Sequence, residues 1–144
     1  MERVKMRRSY YELYIHVVWS TKNTLPLITE SVEKNIQDIV KAKCRKFDTE
    51  LIAIGNVEDH IHLLLSINPN IKISELVGEI KGATSYFINR QNSGSLHWQD
   101  GYGALSVSKS ALKAVKKYIE NQKEHHKLGA NLKDSLEERT YKEE

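Results

Sequence analysis

The chain has 144 residues, 40% of them hydrophobic, and a formal net charge of +3, enough for one compact domain spanning 1–144 with a single core. No run approaches the roughly 18 apolar residues that cross a bilayer. The basic opening "MERVKMRRSY" leads into a strand pattern instead of an apolar signal segment, and a single cysteine, Cys44, excludes an internal disulfide, so the expected location is the cytoplasm.

"SYYELYIHVVWSTK" (9–22) alternates as a strand, with Tyr11, Leu13, Ile15, Val17 and Trp19 on one face and Tyr10, Glu12, Tyr14, His16 and Val18 on the other. After the connector "LPLIT", Thr29 or Ser31 can cap a helix over 31–47, where Val32, Ile36, Ile39, Val40, Cys44 and Phe47 recur at helical spacing. That places Cys44 in the core. "ELIAIGNVE" (50–58) and "DHIHLLLSI" (59–67) read as two strands of a hairpin, and Asn68-Pro69-Asn70 stops the second. A second helix is predicted over 73–91, capped by Ser74, with an inner stripe of Ile73, Leu76, Val77, Ile80, Thr84 and Phe87. "NSGSLHWQDGYG" is loop, "ALSVS" (104–108) a fourth strand, and 109–127 a third helix; the tail from Leu128 is polar.

The order β-α-β-β-α-β plus one helix is the split βαβ, ferredoxin-like (RRM-like) α+β plan. Its first and third strands lie at the centre of an antiparallel sheet. Two helices cover one face, and the other is open or covered by whatever comes last.

Side chains two apart on a strand point the same way, about 6.5–7 Å apart. His60 and His62 therefore share a face, while Ile61, Leu63, Leu65 and Ile67 suit the core beneath the helices. His16, on the neighbouring central strand, falls on the face of the histidines. Two imidazoles at i, i+2 can hold one metal ion, or can be two satisfied polar residues on a half-exposed sheet; spacing alone leaves both open. On the last helix Tyr118 and Gln122 are i, i+4 and stack on one face, with Ala111, Val115 and His125 near the same stripe and Lys113, Lys116 and Lys117 flanking it. A phenol with a pKa of about 10 is a poor nucleophile unaided, and a divalent cation with nearby lysines would ease its chemistry. Packing plus solvent explains the same pair equally simply.

Five stretches together, "HVVWSTK" (16–22), "DHIHLLLS" (59–66), "LVGEIKGATS" (76–85), "HWQDGYGALSVS" (97–108) and "YIENQKEHHK" (118–127), closely resemble the TnpA-type, single-tyrosine HUH transposases of small bacterial and archaeal insertion sequences. The resemblance runs over about 10–127. HUH denotes His, a hydrophobic residue, His, matching His60-Ile61-His62. The resemblance implies that Tyr118 attacks a phosphodiester of single-stranded DNA to give a 5′-phosphotyrosine and a free 3′-OH, with no nucleotide cofactor. It implies that His60, His62 and Gln122 hold one Mg²⁺ or Mn²⁺, and that the partners are a DNA hairpin near the element's ends and a second copy in a homodimer with shared active sites. His125 and His126 also match the family pattern as residues behind the site or on DNA, and helical spacing puts only His125 near the Tyr118 face; His16, placed by strand alternation, is a further candidate behind the site. By charge alone, Arg3, Lys5, Arg7, Arg8, Lys22, Lys113 and Lys117 are candidate DNA-binding residues; such contacts position a strand without specifying its sequence. After "NQKEHHK" the family continues with an amphipathic segment, whereas this tail is short and polar.

Two other readings compete. One is a domesticated or inactive single-stranded nucleic-acid binder on the same fold, stacking bases on Tyr10 and Tyr14. The other is a small hydrolase in which His60 and His62 hold a metal-activated water. The third strand lacks an aromatic RNA-recognition motif, which weighs against the first, and Tyr118 beside Gln122 weighs against the second.

Overall fold

The computed structural model describes residues 9–91 and 95–127, with side chains as far as Glu124. Arg3, Lys5, Arg7, Arg8, the side chain of His125 and the tail from Leu128 lie outside the described residues. Four strands, β1 (Leu13–Ser20), β2 (Glu50–Val57), β3 (His60–Ile67) and β4 (Gly103–Val107), form one sheet in the order β2-β3-β1-β4. Every pairing is antiparallel, and β3 and β1 are central. Helices α1 (Glu30–Lys46) and α2 (Ile73–Arg90) cover one face. Helix α3 (Leu112–Glu120) and the short α4 (Gln122–Lys127) lie against β2 on the other. The expected α+β plan is the observed one.

The alternation of β3 builds both layers. Ile61, Leu63, Leu65 and Ile67 join Val17 and Trp19 of β1 under Val32, Ile36, Val40 and Cys44 of α1 and Leu76, Val77, Ile80 and Ile88 of α2. Leu64 points the other way, into a small cluster with Ala53 and Ile119. Acidic Glu30 and Glu33 in the first turn of α1, and Lys43, Arg45 and Lys46 in its last, complement the helix dipole. Asp48 then adopts a left-handed φ of 51° and ends the helix.

Several local expectations give way to tertiary constraints. Strand β1 begins at Leu13, not Ser9, because β3 ends at its partner Ile67 and β4 at Val107 opposite Tyr14, so earlier residues have no ladder to join. Helix α2 begins at Ile73 with Lys72 before it and no side-chain cap. Ser74 is already inside the first turn, because the Asn68–Asn70 turn, closed by Asn68 Oδ1 accepting the Asn70 amide at 2.8 Å, delivers the chain one residue early. The inner stripe runs Leu76, Ile80, Thr84, Ile88, four residues apart, which turns Phe87 outward to 39% exposure. Thr84 belongs in that apolar row because its hydroxyl donates to the Ile80 carbonyl at 2.7 Å and accepts from Trp98 Nε1 at 2.9 Å.

The predicted helix over 109–127 is three pieces: a 3-10 turn at Lys109–Ala111, then α3, then α4, with Asn121 (φ −105°, ψ 27°) at the break. Asparagine is a weak helix former, and the break lets the chain turn over the edge of β2. Lys123 Nζ fastens the next residues down, binding Glu33 Oε2 of α1 at 2.9 Å and the Asn56 carbonyl of β2 at 3.2 Å. The seat beneath α3 is Gly55. A Cβ there would collide with the carbonyl of Ile119, so only glycine lets this helix lie so close to the sheet.

Two outcomes follow. Gly55→Val, an overpacking change costing about 1–3 kcal/mol, removes hydrogen-exchange protection from the α3 amides while the β3 amides stay protected. Burial pushes the Cys44 thiol up to about 11, so the native protein at neutral pH does not react with a thiol reagent such as dithionitrobenzoate, and reacts fully once unfolded.

Candidate active site

Cross-strand register brings the imidazoles together. His62 of β3 lies opposite Val18 of β1 and Gly55 of β2, and His60 lies opposite Ser20 and Val57. His16 faces Leu64, which makes it a diagonal neighbour of His62 on the same face. The ring centroids of His16 and His62, and of His60 and His62, are both 5.0 Å apart. The expected half-exposed face is closed. His16, His60 and His62 are 6%, 2% and 0% exposed, because α3 and α4 cover them.

Helix α3 places the Tyr118 ring 5.8 Å from that of His62, edge to face at 88°, and 6.5 Å from that of His16. One turn on, across the Asn121 break, buried Gln122 of α4 brings its Oε1 to 3.4 Å from His60 Nε2. The amide orientation is settled at its other end, where Nε2 donates to the Tyr118 backbone carbonyl at 3.3 Å. The side chain predicted to be the third ligand is thus tied to the backbone of the predicted nucleophile. Two donors each about 2.1 Å from one ion stand roughly 3.0 Å apart at right angles and 3.4 Å apart at a tetrahedral angle. The His60–Gln122 separation fits that range. Among the described residues no three His, Cys, Asp or Glu side chains form a cage for a metal ion; the donor-bearing side chain facing His60 is the glutamine amide.

Sequence reading missed Asp59. Treated as the first residue of the strand, it is instead the second residue of the two-residue turn between β2 and β3. Its Oδ1 accepts from His60 Nδ1 at 2.8 Å, and its carbonyl accepts the Thr21 amide at 2.9 Å, pinning the turn to β1. A carboxylate behind an imidazole fixes the ring and its tautomer and raises its basicity as a ligand. The signal was present as "DHIH", but strand alternation hid it.

The candidate cationic residues fall into two groups. Lys22, just past the Ser20–His60 pair, and Lys113 and Lys117 on α3 are exposed. Lys109 is committed elsewhere: the Glu12 carboxylate accepts from its ammonium at 3.1 Å and from the Tyr10 hydroxyl at 2.6 Å, which raises the pKa of both donors. The groove along the outer edge of β2 is lined by Glu30, Glu33, Glu58, Glu120 and Glu124. Lys123 lies in the same groove and neutralises Glu33.

Residues 9–122 match the family model described as IS200-like transposase. The chain is 30% identical over 129 residues to the ISDra2 transposase TnpA of Deinococcus radiodurans, covering 85% of this chain and 92% of that protein. It is 27% identical to the transposase for insertion sequence element IS200 of Salmonella typhimurium, covering 81% of each. Among solved structures it is similar to a transposase candidate of Deinococcus radiodurans R1 at TM-score 0.64 and 28% identity, over 81% of this chain and 95% of that one. It shares its fold with a REP-associated tyrosine transposase bound to a REP hairpin, at TM-score 0.66 and 15% identity, over 83% of this chain and 72% of that one. A histidine pair, a facing tyrosine and a match running unbroken from the first described strand to Gln122 lead to one assignment: the chain belongs to the IS200-like family of DNA transposases.

Proposed function

We propose that this transposase cuts and rejoins single-stranded DNA at the ends of an insertion sequence through a 5′-phosphotyrosine on Tyr118, with one divalent cation held by His60, His62 and Gln122. The observation that carries the reading is the junction of α3 and α4. Tyr118 stands against His62 while Gln122, fastened to the Tyr118 carbonyl, faces His60.

The Tyr118 oxygen attacks the scissile phosphorus, a Tyr–O–P bond forms, and the P–O3′ bond breaks with the electron pair leaving on the 3′ oxygen, which takes up a proton as 3′-OH. In the reverse sense a 3′-OH attacks the phosphotyrosine, the strand is rejoined, and the phenol is released. One phosphodiester replaces another, so no nucleotide is consumed. A bound Mg²⁺ or Mn²⁺ would polarise the scissile phosphate and stabilise its developing charge; imidazole donors suit Mn²⁺ better than Mg²⁺. The chain's own part is to orient. Gly55 lets α3 approach, Lys123 holds α4 and Asp59 holds His60, while Tyr118 itself is half-buried.

Lys22, Lys113 and Lys117 are proposed phosphate contacts, joined by Arg3, Lys5, Arg7 and Arg8 and by His125. A DNA hairpin is the proposed substrate feature, supported by the hairpin bound to the structural relative. A homodimer with shared sites belongs to the same proposal; within one chain the Tyr118 ring stands beside those of His16 and His62. Among the described residues no helix is long and apolar enough to cross a membrane; the proposed location is the cytoplasm, at the nucleoid when DNA is bound.

Incubated with labelled single-stranded DNA carrying the element's end and Mn²⁺, the protein yields a denaturation-resistant covalent adduct. Tyr118→Phe abolishes the adduct, His62→Ala lowers its rate by on the order of 100-fold or more, and chelation removes it reversibly. An adduct persisting in Tyr118→Phe would exclude this nucleophile, and free cleavage products without adduct would identify a hydrolase. Binding without cleavage would identify the inactive binder.

A further inference from the structure

The two histidines of the proposed metal pair are held from behind by different acceptors. His60 Nδ1 meets the Asp59 carboxylate at 2.8 Å. An ionised carboxylate only accepts, so the proton lies on His60 Nδ1 and the lone pair on Nε2, toward Gln122. His62 Nδ1 meets another imidazole, His16 Nε2, also at 2.8 Å, with His62 fully buried and His16 nearly so. That bond can be made in two senses. If His16 donates, His62 carries its proton on Nε2 and cannot ligate through it. If His62 donates, its Nε2 keeps a lone pair and His16 carries its own proton on Nδ1. Only the second sense makes His62 the equivalent of His60.

The structure assigns His16 as a positioning residue that accepts the Nδ1 proton of His62 and so fixes the tautomer in which His62 Nε2 binds a divalent cation. The assignment rests on the metal reading above and adds a residue to it. His16 reaches this place because β1 and β3 pair antiparallel with His16 opposite Leu64, so its ring leans across the sheet to the diagonal position. Its ring plane is tilted 33° from that of His62, an arrangement that serves a hydrogen bond between ring nitrogens rather than parallel stacking. The tautomer of a ligand imidazole is set by the bond its other nitrogen makes, and loss of such a supporting partner typically weakens metal binding by about 10–100-fold.

The test uses the full chain without DNA. Mn²⁺ binding is followed by titration calorimetry or by the signal of the free ion in electron paramagnetic resonance, for wild type, His16→Leu and His16→Gln. Leucine keeps apolar bulk in a buried site and removes the acceptor, whereas the glutamine Oε1 can take the place of the imidazole Nε2. Expected is a weakening of about 10–100-fold in His16→Leu and recovery of most of it in His16→Gln, with metal-free melting temperatures confirming that both variants fold. Ring-nitrogen NMR of the metal-free protein, which does not depend on activity, shows His62 protonated on Nδ1 in wild type, with the proton moved to Nε2 in His16→Leu. Binding by His16→Leu as tight as wild type, glutamine no better than leucine, or His62 protonated on Nε2 in the metal-free wild type each overturns the role of His16. A wild type that binds no Mn²⁺ overturns the metal reading itself, and this role with it.

Discussion

Everything about this site depends on how closely a helix backbone can lie on a sheet. The carbonyl of Ile119 occupies the space that a Cβ at position 55 would need. Glycine at that one position of β2 allows α3 to settle onto the face that carries the histidines. Ile119 then packs on Ala53 and Leu64, and Tyr118, the residue before it, is carried to the His62 ring. The bulge between Leu51 and Ala53 sets the register that puts Gly55 beside His62. A helix held one side chain farther out would leave the tyrosine and Gln122 away from the imidazoles.

Closing that face has an electrostatic cost that the hydrogen bonds offset. Three imidazoles lie within a region 6% exposed or less, where an unpartnered polar group costs about 1–3 kcal/mol. Each has a hydrogen-bond partner: Asp59 for His60, and His16 and His62 for each other. The same bonds that make the burial tolerable also orient the rings. Those contacts are made by residues from β1 and from the β2–β3 turn.

Much of this was legible in the chain. The period-2 alternation of "HIHLLLS" separates core from site because a strand has only two faces, and it placed Ile61 and Leu63 correctly on one and His60 and His62 on the other. The i, i+4 pairing of Tyr118 with Gln122 predicted their common side even though the helix breaks between them, since one interrupted turn leaves the two close. Periodicity puts Phe87 in the inner stripe, where the structure buries Ile88 instead, because a 3.6-residue period tolerates either until the α2 stripe is registered against the sheet. Ser74 looked like a cap for want of any knowledge of how the Asn68–Asn70 turn hands over the chain. Asp59 was read as strand because alternation has no way to see a two-residue turn.

The sequence by itself determined the order of elements, the two faces of β3 and the family to which the chain belongs, because periodicity and local motifs are properties of neighbours along the chain. Only the tertiary structure decided that the second face is covered, that Gly55 is the place where α3 lands, and that Asp59 and His16 stand behind the two histidines. Those are contacts between residues far apart in sequence or on opposite sides of a turn. Their geometry is set by strand register and by the distance at which a helix backbone meets a sheet, and neither quantity is written in the spacing of residues.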